Sequence, residues 1–189
     1  MESFFLLPWT FISIFIVIFV ANCRHISPAV GYVVMGIYIN KGNNAFRNIV
    51  RQEYVDKTSL IPLINATIDT ESRYSCVTRC RRFGKSMAAK MLCAYYDKSC
   101  SSRELFRGLK AEQDSSFGTF LNKYYVIYLD VTSFTARPEF RKNIVRAIQD
   151  KITYELKEAF PDVKYRDDFD LMDVLSAIRC PLKTTDAAD

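Results

Sequence analysis

Apolar residues are concentrated in one long stretch near the N-terminus of the chain. Residues 4–21 read FFLLPWTFISIFIVIFVA, in which only Thr10 and Ser13 are polar. As a helix this stretch would rise about 27 Å, close to the ~30 Å hydrocarbon thickness of a bilayer. The pattern therefore predicts an apolar N-terminal helix of a length that suits a membrane anchor.

Two interpretations of this leader, residues 1–34, stay open. In the first it is a single transmembrane helix, and Arg24 on its C-terminal side places the following domain in the cytoplasm by the positive-inside rule. In the second the start of the protein is misassigned, and the native chain begins at Met35 as a cytoplasmic protein. Contact with a membrane is expected only through residues 4–21.

After the leader, strand-like apolar runs alternate with helix-like spacing. Residues 74–78 and 124–131 are short apolar runs that predict buried strands, the second more strongly. Apolar residues recur at three- and four-residue steps in 87–97, 138–161 and 170–178, which predicts three helices. Strands that alternate with helices predict a layered α/β domain with parallel strands.

Composition narrows the class of protein without naming a function. The chain has 189 residues with 26 Lys and Arg against 21 Asp and Glu, which suits one ordinary globular domain. The net charge of +5 is not a clustered basic patch, so nucleic-acid binding is not supported. His25 is the only histidine and the six cysteines form no CxxC pair, which argues against histidine-based catalysis and a structural zinc site.

One short motif carries chemistry. Gly84-Lys85-Ser86 lies between a predicted strand and a predicted helix, as the end of a phosphate-binding loop does. Glycine lets the backbone approach a phosphate, the lysine reaches the β- and γ-phosphates, and the serine hydroxyl can bind Mg²⁺. The full pattern asks for a glycine where this chain has Arg79. From the tripeptide alone, nucleotide binding and an ordinary solvated loop are both open.

Several segments in order resemble one family of proteins. Residues 78–86, TRCRRFGKS, look like the TRPRRFGKS signature of the AAA-ATPase-like family of prokaryotic P-loop proteins, with Cys80 in place of the family's proline. The other segments that match lie on both sides of it: AFRNIVR at 45–51, YVDKT at 54–58, AKMLCAYYD at 89–97, LFRGL at 105–109 and VIYLD at 126–130.

The resemblance implies a fold and a ligand. It implies an incomplete ASCE-type P-loop NTPase domain, a three-layer α/β sandwich over residues 35–180, followed by an unstructured tail at 181–189. It also implies ATP and Mg²⁺ as ligands, and we allow for a homo-oligomer. The residues expected to hold the nucleotide are Arg82, Phe83, Gly84, Lys85 and Ser86, with Ser86 on the metal.

A second metal ligand is harder to assign. The family's main Walker B strand, which ends in Asp-Glu, should follow the helix at 170–178, and this chain has no such strand there. We therefore expect a domain truncated before Walker B. Asp130 ends an apolar run and could take the metal, but Val131 follows it where a general base would be needed. The alternative for Asp130 is a plain carboxylate at a strand end.

Two functions of different classes remain. The first is an ATP-binding P-loop domain whose ATPase activity is weak or absent. The alternative is a non-catalytic interaction fragment, membrane-anchored or not, whose loop is vestigial. Within the YVDKT segment, Asp56 and Lys57 are either an ion pair at a helix start or part of the nucleotide pocket.

Overall fold

The computed structural model of the chain describes residues 15–20, 36–72, 74–77, 83–140 and 142–179, the first of these as backbone only. Two strands pair with each other: β1 (Phe15–Val20) and β2 (Tyr125–Asp130). Seven α-helices lie in the described residues: α1 (Asn44–Val50), α2 (Leu60–Asn65), α3 (Lys85–Tyr96), α4 (Phe117–Phe120), α5 (Val131–Thr135), α6 (Ile144–Ala159) and α7 (Leu171–Arg179). Short 3₁₀ turns at Arg103–Phe106, Lys110–Gln113 and Pro138–Phe140 connect them.

β2 is bordered by chain on both of its edges. On one edge it pairs antiparallel with β1, from Phe15 opposite Asp130 to Val20 opposite Tyr125. On the other edge Ile39 forms an antiparallel bridge with Ile127. Hydrogen bonds of 2.8 Å run from Asn40 N to Val126 O and from Tyr128 N to Tyr38 O. The backbone groups of β2 are therefore satisfied on both sides, as a buried strand requires.

The two faces of β2 contribute to two separate hydrophobic cores. Because side chains alternate along a strand, successive residues point to opposite faces. Val126 and Tyr128 join the first core, which includes the buried face of α3 and parts of α1, α2 and α4. Tyr125, Ile127 and Leu129 join the second core, which includes α6 and α7. Helices therefore cover both faces of this one strand.

Four of the predicted elements are confirmed. The strand at 125–130 is buried on both faces, and α3 follows the Gly-Lys-Ser tripeptide as a twelve-residue helix. α7 begins after Asp170, whose Oδ1 accepts from the N–H of Asp173 at 2.9 Å as a helix cap does. α6 begins later than the expected Pro138, because the Asn143 side chain caps it by accepting from Arg146 N at 3.0 Å.

The predicted strand at 74–78 is wrong for the four of its residues that the structure describes. Residues 74–77 have no regular secondary structure, and Tyr74 and Val77 are 83% and 45% exposed. A β-prone sequence becomes a stable strand only where a neighbouring strand pairs with it and one face is buried. Residues 74–77 are all exposed, and no strand among the described residues pairs with them.

The predicted apolar N-terminal helix is also wrong where it can be compared. Residues 15–20 form strand β1, and residues 4–14 lie outside the described residues. The sequence FIVIFV is rich in β-branched and aromatic residues, which favour a strand once an edge such as that of β2 is free to pair. In the part of the chain that the structure describes, no helix combines the length and the apolarity that crossing a membrane requires.

The arrangement of strands differs from the expected sandwich. The described residues form a mixed α/β structure around an antiparallel pair, whereas the sequence predicted parallel strands in a three-layer sandwich. The one parallel pairing within these residues is the isolated bridge between Asp97 and Tyr124.

Replacing a side chain of β2 tests its place between the two cores. Ile127 is 1% exposed, so Ile127→Ala leaves a cavity and should lower the free energy of unfolding by about 2–5 kcal/mol. Ile37 is 71% exposed, and Ile37→Ala should change stability by about 0.5 kcal/mol or less. Urea unfolding of the two variants beside the wild type measures both, and equal losses would contradict the described core.

Candidate functional site

The first turn of α3 follows Gly84 directly. Gly84 occupies the N-cap position with φ +77° and ψ 24°, a left-handed conformation that glycine adopts without strain. No side chain among the described residues caps this end of the helix. The first N–H groups of a helix have no partner inside it and carry a partial positive charge. This end of α3 is therefore suited to an anion.

A cleft of about 450 Å³ opens beside this turn. Ser86 in the first turn of α3 and Asp130 at the end of β2 both line it, although they are distant in sequence. Three cationic side chains share the cleft with that one carboxylate: Lys41, Lys90 and Arg137. The rest of its lining consists of Ile37, Tyr38, Tyr128 and Ser133. The balance of charge in the cleft is positive, which favours an anionic ligand.

The Asp130 carboxylate has one oxygen engaged and one available within the described residues. Its Oδ1 accepts hydrogen bonds from Thr132 N at 3.0 Å and Thr132 Oγ1 at 2.5 Å, which caps α5. The structure shows no hydrogen bond from a described residue to Oδ2. Asp130 thus ends β2, and its Oδ1 caps α5. Oδ2 leaves room for a cation in the cleft.

Aromatic rings hold two of the cations in place. The Lys41 ammonium lies 4.7 Å from the centre of the Tyr128 ring, and the Arg137 guanidinium lies 5.5 Å from that of Phe140. Burial, together with the nearby Asp130 carboxylate, raises the pKa of Tyr128 to about 12. Tyr128 therefore keeps its proton at neutral pH and acts in the cleft as a neutral hydroxyl and an aromatic surface.

The segment at 54–58 packs against the start of α3. The Lys57 Nζ donates to the carbonyl oxygen of Phe83 at 2.7 Å. The ion pair between Lys57 and Asp56, one of the two alternatives, is not among the ion pairs of the described residues. Asp56 instead accepts three hydrogen bonds: Oδ1 from Thr58 N and Oγ1 at 2.8 and 2.7 Å, and Oδ2 from Lys110 N at 2.9 Å. The carboxylate fastens the segment to the 3₁₀ turn at Lys110–Gln113.

The hydrogen bonds that Asp56 accepts lower its pKa. Partial burial raises the pKa, but the hydrogen bonds from Thr58 and from Lys110 N outweigh burial and hold it below the ordinary value of 3.8. The carboxylate is therefore charged throughout the neutral range. Its role is to fix the backbone on either side of Lys57.

The structure brings together some of the residues expected from the sequence. Ser86 and Asp130 line the same cleft. Gly84 and Lys85 form the start of α3, adjoining the cleft, while Phe83 is 60% exposed and contributes its carbonyl to Lys57. Arg82 lies outside the described residues.

Sequence reasoning missed the cations of the cleft. Lys90 could have been found, because a residue four positions after Ser86 on a helix lies on the same face. Lys41 and Arg137 carry no such signal, since only the folded chain brings them beside Asp130.

Comparison with known proteins gives one match. A family model whose description is predicted AAA-ATPase matches residues 41–184, most of the chain. This confirms the resemblance seen in the motifs. No curated protein and no solved structure matches the chain at a significant level.

The hydrogen bonds of Asp56 predict a pH-dependent contribution to stability. At neutral pH, Asp56→Asn should be less stable than the wild type, because an amide cannot accept all three hydrogen bonds. A carboxyl group whose pKa is lowered in the folded state stabilises fully above its ordinary value of 3.8. That stabilisation is lost as the pH falls through the lower folded value.

Urea unfolding between neutral and strongly acidic pH measures the effect. The gap between wild type and Asp56→Asn should close as the pH falls below about 4. Asp162→Asn, a change at an exposed loop carboxylate, serves as the control and should follow the wild type at every pH. A gap for Asp56→Asn that stays constant with pH would contradict the described hydrogen bonds.

Proposed function

The chain belongs to the AAA-ATPase-like family, and from that premise we propose that it binds ATP with Mg²⁺ at the start of α3 and in the adjoining cleft. One observation carries the proposal: Ser86, which follows Gly-Lys at a helix N-terminus, shares a cleft with the carboxylate that ends β2. Phosphate-loop proteins hold nucleotide with the same kinds of group. The P-loop fold of the whole domain is part of this proposal.

The phosphates are proposed to lie against the backbone at the start of α3. The backbone N–H groups at the helix N-terminus and the helix dipole favour negative charge there. Gly84, in its left-handed conformation, lets the backbone approach without a Cβ in the way. Lys85 adds a positive charge beside the β- and γ-phosphates, in the role that lysine has in such loops.

The residues present also fit Mg²⁺. This ion prefers oxygen ligands and is commonly held by one or two protein groups together with substrate phosphates. Ser86 and Asp130 line one cleft, and each has a side-chain oxygen that could serve as such a ligand. Among the described residues no three His, Cys, Asp or Glu side chains cluster in a way that could hold a metal on their own. The ion is therefore expected to arrive with the nucleotide and to neutralise its phosphates.

Hydrolysis is proposed to be slow. The reaction joins a water oxygen to the γ-phosphorus, breaks the bond to the bridging oxygen and releases a proton, ADP and phosphate. A carboxylate usually orients the attacking water, and Val131 stands after Asp130 where that group would lie. The sequence of 189 residues contains no Asp-Glu pair. A missing electrostatic contact of this kind typically costs about 10²–10³-fold in rate.

Removal of the Lys85 ammonium should abolish nucleotide binding. Titration of the 189-residue chain with a fluorescent ATP analogue and Mg²⁺ is expected to saturate for the wild type and to fail for Lys85→Ala, because the phosphates lose their main charged contact. Lys123→Ala, at an exposed lysine before β2, is the matched control and should bind like the wild type. Equal curves for wild type and Lys85→Ala would leave the vestigial-loop alternative in place.

Slow turnover can be measured separately from binding. Phosphate release by the same chain with Mg²⁺-ATP should stay near the level of Lys85→Ala, which serves as the blank. Steady turnover of about one per second that is lost in Lys85→Ala would show an active enzyme. That result would contradict the proposed lack of a water-orienting group and would give Asp130 a larger role.

A further inference from the structure

Lys57 contacts Phe83 and Gly84, which precede α3, although it belongs to the separate segment at 54–58. Its Nζ donates to the Phe83 carbonyl at 2.7 Å. The ammonium also lies close to Gly84, where an added Cβ would come within 2.6 Å of Nζ. One charged group therefore contacts both residues of the peptide unit that precedes α3.

The neighbours of Lys57 hold its backbone in place for this contact. Asp56 binds Lys110 N, and Thr58 Oγ1 accepts from Ala111 N at 3.0 Å, so both sides of Lys57 are fastened to the same 3₁₀ turn. Thr58 is fully buried. The Tyr54 hydroxyl contacts Met91 Sδ on α3 at 3.6 Å, which ties the segment to the helix it serves. The side chain of Lys57 leaves this rigid segment and reaches the start of α3.

The contact determines the direction of one N–H group. The Phe83 carbonyl and the Gly84 N–H belong to the same planar peptide unit, and in a trans peptide they point in opposite directions. The structure contains no cis peptide bond among its described residues. A lysine that holds the carbonyl on one side therefore directs the Gly84 N–H to the other side. An accepted hydrogen bond at the carbonyl also strengthens the N–H as a donor.

We propose that Lys57 is a positioning residue of the nucleotide site: it orients the Phe83–Gly84 peptide so that the Gly84 N–H faces the β- and γ-phosphates. The inference rests on the proposed function, and it adds a residue from a separate segment to the loop. Lys57 acts through the peptide and does not itself need to touch the nucleotide. Removal of the Lys57 ammonium should therefore weaken nucleotide binding, and the loss should grow with the number of phosphates that reach the loop.

The test compares nucleotides of different phosphate number on the full chain. ATP, ADP and AMP compete with a fluorescent ATP analogue, in the presence of Mg²⁺, for the wild type, Lys57→Met and Lys57→Arg. We expect Lys57→Met to bind ATP about tenfold more weakly and AMP unchanged, because a charge-assisted hydrogen bond that orders the loop is lost. Lys57→Arg, which keeps a charged donor, should stay within about threefold of the wild type. Lys151→Met, at an exposed lysine of α6, is the control.

Two further readouts separate positioning from a general loss of structure. The melting temperature of Lys57→Met should lie within about 3 °C of the wild type, since the hydrogen bond is at the surface. The amide resonance of Gly84 in ¹H–¹⁵N NMR spectra should shift in Lys57→Met without nucleotide and should return toward the wild-type position in Lys57→Arg.

The outcomes are distinguishable. If Lys85→Ala abolishes binding while Lys57→Met binds ATP like the wild type, the inference fails and the proposed function stands. Equal losses for AMP and ATP, or a large fall in melting temperature, would show a merely structural role and overturn it. A wild type that binds no ATP overturns both proposals.

Discussion

The burial of β2 on both faces is the constraint on which the rest of the described structure depends. A strand of six residues contributes alternate side chains to two cores, so α3 must pack on one face and α6 with α7 on the other. Its backbone groups must also be satisfied on both edges, which β1 and Ile39 provide. β2 ends at Asp130, and the packing of the strand fixes the position of the Asp130 carboxylate beside α3.

The segment at residues 38–42 is also fixed by its contacts, and it contributes Lys41 to the cleft. Glu155 of α6 accepts hydrogen bonds from the backbone N–H groups of Tyr38 and Ile39, each at 2.8 Å. The Gly42 N–H donates to the buried carboxylate of Asp97, the residue that follows α3, at a distance of 2.7 Å. Lys41 lies between these two hydrogen-bonded positions, and they place it in the cleft next to Tyr128. A cation far from the loop in sequence thus becomes part of the charged lining.

The sequence predicted what depends on local pattern and missed what depends on pairing. The apolar run of β2 and the apolar spacing in α3 and α7 are local signals, and each element was found. The strand expected at 74–78 and the helix expected at 4–21 were misjudged at the residues that the structure describes, 74–77 and 15–20, because an apolar run does not reveal whether a partner strand exists. The loop motif led to Ser86, and the apolar run of β2 led to Asp130. For Lys57 the sequence left two alternatives open, and only the fold shows that its ammonium reaches the Phe83 carbonyl.

We propose that the start of α3 and the end of β2 hold one nucleotide together. A crystal structure of the chain with Mg²⁺ and a non-hydrolysable ATP analogue measures this most directly. We expect the β- and γ-phosphates to lie against the backbone N–H groups that begin α3, and Ser86 and Asp130 to be the residues that would hold the ion. A nucleotide bound elsewhere on the chain, or an ion that contacts neither residue, would contradict it.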